Sequence, residues 1–96
     1  MQVMIRYKLK RGQVEQSLGL LRAVYDEYES ARPGWLRQAT FQLDDELSFV
    51  TFAQLDDPSR LADMPAFQRY RSTLDDRCDE PPVLTVLHEV GSYRFT

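Results

Sequence analysis

Residues 3–10 alternate: Val3, Ile5, Tyr7 and Leu9 point one way, and Met4, Arg6, Lys8 and Lys10 the other. That is the period-two signature of a strand with one apolar face. From residue 14 to 31 the period lengthens. Val14, Leu18, Leu21, Tyr25 and Tyr28 recur at steps of three and four, so they line one stripe of a helix, with Glu15, Arg22, Glu27 and Glu29 largely on the other side. Gly19 weakens this helix by about 1 kcal/mol relative to alanine, and a close approach to the sheet would explain it. Pro33 steers Arg32 away from helical geometry and stops the helix. Two strands follow at 35–43 and 47–54, joined by Asp44-Asp45-Glu46, a hairpin whose turn lacks glycine and is therefore expected to be loose.

Asp56-Asp57-Pro58 marks a helix start, with Asp57 as cap and Pro58 in the first position. Met64-Pro65 restarts the pattern, and Phe67, Tyr70, Leu74 and Cys78 form a second apolar stripe. Asp79-Glu80-Pro81-Pro82 is expected to break it. Residues 83–90 then read as the last long strand, followed by an extended piece from Ser92 to Phe95. The order is βαββαβ in 96 residues, which predicts one α+β domain over residues 1–96.

The two later strands do not alternate. Phe49 to Ala53 and Val83 to Leu87 are apolar or neutral on both faces, whereas a sheet with helices on one face ordinarily keeps the other polar. A second apolar face left in water would be a large patch of the kind soluble monomers avoid. The expected cover is a second copy of the chain, sheet against sheet, with the tail after Gly91 reaching across. The plainer reading is a monomer with a moderately apolar sheet.

Charge narrows the partners. Lys and Arg number 12 against 15 Asp and Glu, a net charge of −3, so there is no basic footprint for nucleic acid. No run reaches the ~20 apolar residues of a bilayer span, and no membrane association is expected. The first strand starting at residue 2 or 3 leaves no room for a signal peptide, and the single cysteine has no internal disulfide partner. Cytoplasmic location is the expectation. The acidic pairs at 44–45, 56–57 and 75–76 lack histidine or cysteine at ligand spacing, so no metal is expected. Four scattered glycines form no phosphate loop.

Several features together resemble the dimeric α/β-barrel superfamily, and within it the antibiotic-biosynthesis-monooxygenase-like proteins. They are the βαββαβ order, the Pro33-Gly34-Trp35 entry to strand two, the acidic hairpin Asp44-Asp45-Glu46, and the Met64-Pro65-Ala66-Phe67 start of the second helix. The resemblance implies a ferredoxin-like subunit, an antiparallel sheet with two helices on one face, pairing with a partner's sheet as a homodimer. It further implies cofactor-independent oxidation of an aromatic or quinone-like molecule in an aromatic cavity between sheet and helices. The alternative is a non-catalytic small-molecule-binding or interaction module on the same scaffold. The haem-degrading branch requires an asparagine, and this chain has none, so no haem or other cofactor is expected.

His88 is the best single candidate for a catalytic base, because only histidine ordinarily titrates near neutrality. The plainer reading is an interface or strand-edge histidine. Tyr7, Trp35, Phe49, Phe52, Phe67 and Tyr70 are the candidates to line a cavity, against the plainer reading that they fill the core. Arg37 and Arg71 are expected to pair with carboxylates.

Overall fold

The computed structural model describes residues 1–95. The alternating segment forms β1 (Gln2–Leu9), and the stripe of period 3.6 forms α1 (Val14–Ala31). α1 ends as Pro33 requires. Arg32 turns left-handed at φ 50, and its N–H donates to the Tyr28 carbonyl at 2.7 Å, closing one orphan acceptor of the last turn.

The hairpin joins β2 (Leu36–Gln42) to β3 (Ser48–Leu55). In place of a glycine turn, one carboxylate ties it. Asp45 accepts from the Leu47 N–H at 2.9 Å, the Ser48 N–H at 2.7 Å and the Ser48 hydroxyl at 2.6 Å. The Ser48 hydrogen bonds hold the Asp45 carboxyl down at about 2, and Glu46 takes the one left-handed residue of the connection, at φ 64.

Asp57 caps as its sequence context predicts, accepting from the Ser59 N–H at 3.1 Å, with Pro58 in the first position. The element it starts is a 3₁₀ helix, Pro58–Asp63. α2 follows at Pro65–Ser72 and a single turn, α3, at Leu74–Arg77. Glu27 of α1, expected on the wet side of its helix, reaches the start of α2 instead. Its carboxylate accepts from the Ala66 N–H at 3.0 Å and the Phe67 N–H at 3.4 Å. A helix N-terminus presents unpaired N–H groups and the positive end of its dipole, so an acid from a neighbouring helix is a fitting cap.

Two expectations for the C-terminal third are overturned. Cys78 does not continue the helical stripe; the helix breaks at Thr73, and Cys78 opens β4 (Cys78–Leu87). Asp79-Glu80-Pro81-Pro82 does not interrupt the chain but lies inside that strand. Prolines are tolerated there because β4 is an edge strand bonded only to β1, and its register shifts between Arg6 and Lys8 and again between Lys8 and Leu9. The strand therefore spans 78–87 rather than 83–90, and residues 92–95 form no strand.

The sheet order is β2-β3-β1-β4, antiparallel throughout. Pairing sorts the side chains by face. Val3, Tyr7 and Leu9 lie with Phe49, Ala53 and Leu55 under the helices, joined by Val24, Tyr70 and Leu74. α2 is too short to roof the far half of β4, so Leu84 and Val86, in register with Ile5 and Val3, stay exposed on this same side.

Among the described residues no helix or strand lies over the opposite face. Phe41, Val50, Arg6 and Val83 form one row across it, and Ala39, Phe52, Met4 and Thr85 the next. Phe41 and Phe52 meet edge to face at 6.2 Å while remaining 52% and 39% exposed.

Gly19 proves exposed, and a Cβ added there would meet nothing within 4 Å. The expected close approach is absent, so the glycine only weakens α1. Gly19→Ala is expected to raise stability by about 0.5–1 kcal/mol. The check is a higher urea midpoint with an unchanged slope.

Candidate functional site

Beneath the helices, β1 and α2 bring two phenols together. The Tyr7 and Tyr70 hydroxyls hydrogen-bond to each other in a buried setting, and the Tyr7 ring stacks on Phe49 at 5.5 Å. Burial pushes both phenols above their ordinary value. For Tyr70 the Tyr7 hydrogen bond, the Arg77 charge and Ser17 pull the other way.

Arg77 is 4% exposed. Its guanidinium lies 5.3 Å from the Tyr70 ring centre and donates to the Tyr70 carbonyl at 3.2 Å and to the Thr73 hydroxyl. Its Nε has no partner among the described residues. Cys78, also buried, has its thiol pushed up, first by burial and then by Asp75, so it is held as the unreactive thiol. Sequence reasoning missed Arg77 and Ser17 because charged and hydroxylic residues are ordinarily solvated.

A second polar group bridges α1 to β2 and β3. The Tyr25 hydroxyl lies 2.7 Å from Thr40 Oγ1, which lies 2.8 Å from Thr51 Oγ1. Tyr28 donates to Gln38 Oε1 at 3.2 Å. Burial raises the Tyr28 phenol, and the Gln38 bond only partly offsets this. The signal was present in the sequence, since Gln38 and Thr40 alternate on one side of β2, but nothing there distinguishes a wet face from a buried polar one.

Two grooves open outside this interior. One, of about 620 Å³, sits at the joint between the end of α1 and the 3₁₀ helix, among Arg32, Pro33, Trp35, Arg60, Asp63 and Met64. The other, of about 600 Å³, runs over the open sheet face past Ala39, Phe41, Phe52 and Leu87 to Phe95 of the tail.

The candidate aromatics are thus divided. Tyr7, Phe49 and Tyr70 belong to the buried core, and Phe67 packs against it. Trp35 borders the first groove and Phe52 the second. His88 was placed in the last strand by its sequence context. It stands one residue beyond the end of β4 and is exposed. Arg71 pairs with Asp75 at 3.0 Å as expected, whereas Arg37 has no carboxylate within 4 Å among the described residues. Among those residues no cluster of three or more His, Cys, Asp or Glu could hold a metal ion, and no helix is long and apolar enough to cross a membrane.

No protein-family profile and no curated protein matches the sequence. Solved structures do match the fold. The crystal structure of an antibiotic biosynthesis monooxygenase aligns with a TM-score of 0.72 at 16% identity, over 94% of this chain and 98% of that one. A cofactor-independent oxygenase from Streptomyces nogalater aligns at 0.64 and 16% identity, over 93% of each chain. A protein of unknown function from Nitrosomonas europaea aligns at 0.72 and 10% identity, over 99% and 93%. At such identities the likeness concerns architecture alone. The chain has the ferredoxin-like βαββαβ subunit of the dimeric α/β-barrel fold, the fold of the antibiotic-biosynthesis-monooxygenase proteins.

Proposed function

We propose that the chain works as a homodimer closed through the open face of its sheet, and that it binds a small aromatic molecule without oxidising it. The observation that carries the binding reading is the Tyr7–Tyr70 hydroxyl pair. An interior base needs a free polar atom facing its substrate. Here the two phenols bond to each other inside the packed core, burial keeps both in the neutral form near neutrality, and the sole histidine lies outside that core. Pairing through the sheet is supported by Phe41, Phe52 and Val83, which leave an apolar surface on a face with no element over it. A single buried thiol suits a reducing cytoplasm.

One observation favours the oxygenase reading instead. The half-buried chain of Tyr25, Tyr28, Gln38 and Thr40 offers hydroxyl and amide groups at the helix–sheet boundary, on a fold shared with a cofactor-independent oxygenase.

Oxygen uptake with dihydroxynaphthalenes separates the two. The expected result is no uptake above the protein-free control, unchanged in His88→Ala. Turnover that falls in Tyr25→Phe or His88→Ala would establish the oxygenase instead.

Light scattering at micromolar concentration is expected to give twice the 11.2 kDa chain mass. Phe52→Ser should weaken the pair by about 2 kcal/mol or more, at least tenfold in Kd; a wild-type species of single mass contradicts the dimer.

Alkaline titration tests the interior. Tyr7, Tyr28 and Tyr70 all have folded values above the unfolded one near pH ~10. Their contribution is fully present below that pH and is lost as pH rises beyond it. Tyrosinate absorbance should therefore show fewer than the five tyrosines ionising while the chain is folded, and the remainder appearing with unfolding.

A further inference from the structure

The groove at the end of α1 holds an exposed guanidinium with none of its donors engaged among the described residues. Arg60 lies 5.2 Å from the centre of the Trp35 ring. A guanidinium over a ring face still has N–H donors free for a ligand. Among the described residues the Arg60 side chain has no hydrogen-bond acceptor and no carboxylate within 4 Å. Asp57 and Asp63 each stand three residues from Arg60; the Asp57 carboxylate accepts from the Ser59 N–H and hydroxyl at 3.1 and 2.6 Å and feels the Arg60 charge without pairing with it within 4 Å.

Arg32 borders the same groove and likewise has no ion pair. Two cations face one acid on this rim, Asp63, so the groove favours an anion. Its remaining wall, from Pro33, Trp35 and Met64, is apolar.

Trp35 itself is anchored. It packs from the side against Val3, Ala53 and Leu55, the second buried cluster of the core. Its carbonyl accepts from the Asp56 N–H at 3.0 Å, which fixes the loop below the arginine. The indole is therefore held by the sheet, and the Arg60 guanidinium lies over it. Pre-positioning of this kind lowers the ordering cost of binding, and a planar fork matches a carboxylate at both oxygens.

We propose that this groove is a binding site for a small aromatic carboxylate, its carboxylate on the Arg60 fork with Arg32 adding charge, and its ring against the Pro33 and Met64 wall. The proposal rests on the binding reading above and names the class of ligand and its place. It removes the site from the helix–sheet interior altogether.

Trp35 is the only tryptophan of the chain, so its indole N–H resonance reports on this groove alone. The test is titration of the ¹⁵N-labelled protein with phenylacetate, with 2-phenylethanol as the uncharged counterpart and inorganic phosphate as a bare anion. The expected result is a saturable shift of the Trp35 indole with phenylacetate at concentrations up to about 10 mM, and at least tenfold weaker effects from the other two.

Arg60→Gln should weaken phenylacetate at least tenfold and Arg32→Gln by a smaller factor. Arg60→Lys, which keeps the charge and loses the fork, should fall between wild type and Arg60→Gln. Arg60 is exposed, and an unchanged backbone spectrum verifies the fold of each variant.

Equal affinity in Arg60→Gln overturns the proposal, as does equal affinity for phosphate. Saturable shifts elsewhere with a silent Trp35 also overturn it while leaving the binding reading in place. No saturable shift anywhere removes both.

Discussion

A four-stranded sheet has two faces, and this chain carries helix for only one of them. α1 has 18 residues and α2 has 8, enough to roof β3 and β1 but not the far half of β4, and among the described residues no helix or strand covers the opposite side, which only the tail borders. The rest of the structure follows from how each face manages that constraint. The roofed face is apolar at its centre and polar toward β2, where Gln38 and Thr40 meet the α1 tyrosines. The open face keeps Phe41, Val50 and Phe52 in adjacent rows, side chains that gain about 25 cal/mol per Å² when water is excluded from them. A second sheet laid on the first, the pairing proposed above, would cover such a surface without adding chain length.

The roof is tied down by polar contacts that each join two elements. Glu27 links α1 to the start of α2, and the Tyr7–Tyr70 pair links β1 to α2. Arg77 closes the same corner, spending its Nη donors on Tyr70 and Thr73. These contacts stand at the shorter of the two main helices. A short helix with an uncapped N-terminus would leave several N–H groups unpaired under the neighbouring helix, a cost of about 1–3 kcal/mol for each buried donor. The Tyr7–Tyr70 contact also engages the two buried phenols with each other. A phenol bonded to another phenol and pushed upward by burial is a poor base near neutrality, whatever its place in the fold.

Much of the architecture was legible because it rests on periodicity. The alternation of β1, the 3.6 stripe of α1, Pro33 and the Asp57-Pro58 cap are local signals, and each led to the element observed. β4 was misread because Pro81-Pro82 is a break only for a strand bonded on both sides, and edge position is a property of the whole sheet. Cys78 was misread for a related reason: its spacing from Leu74 fits a helix, yet Thr73 ends α2 and the chain turns to pair with Leu9. The contents of the site were less legible still. Six aromatics at core-like positions could surround one cavity or separate into three environments, and the sequence treats the two cases alike. The Tyr7–Tyr70 bond spans 63 residues, and no local pattern announces it.

The separation of those aromatics bears on where binding can occur on a scaffold this small. A pocket in the interior requires that side chains be withheld from the core, and a 96-residue chain has little apolar surface to spare. Here Tyr7, Phe49 and Tyr70 fill the space between helices and sheet. Trp35 differs because it sits at a joint. Pro33 ends one element and Leu36 begins the next, so the indole is supported from the Val3 cluster on one side while its other side meets solvent and Arg60. A joint between elements offers concavity without removing anything from the core. The ring can therefore contribute to stability and, on the proposal above, to recognition at once, whereas Tyr7 and Tyr70 lie buried within the packed core.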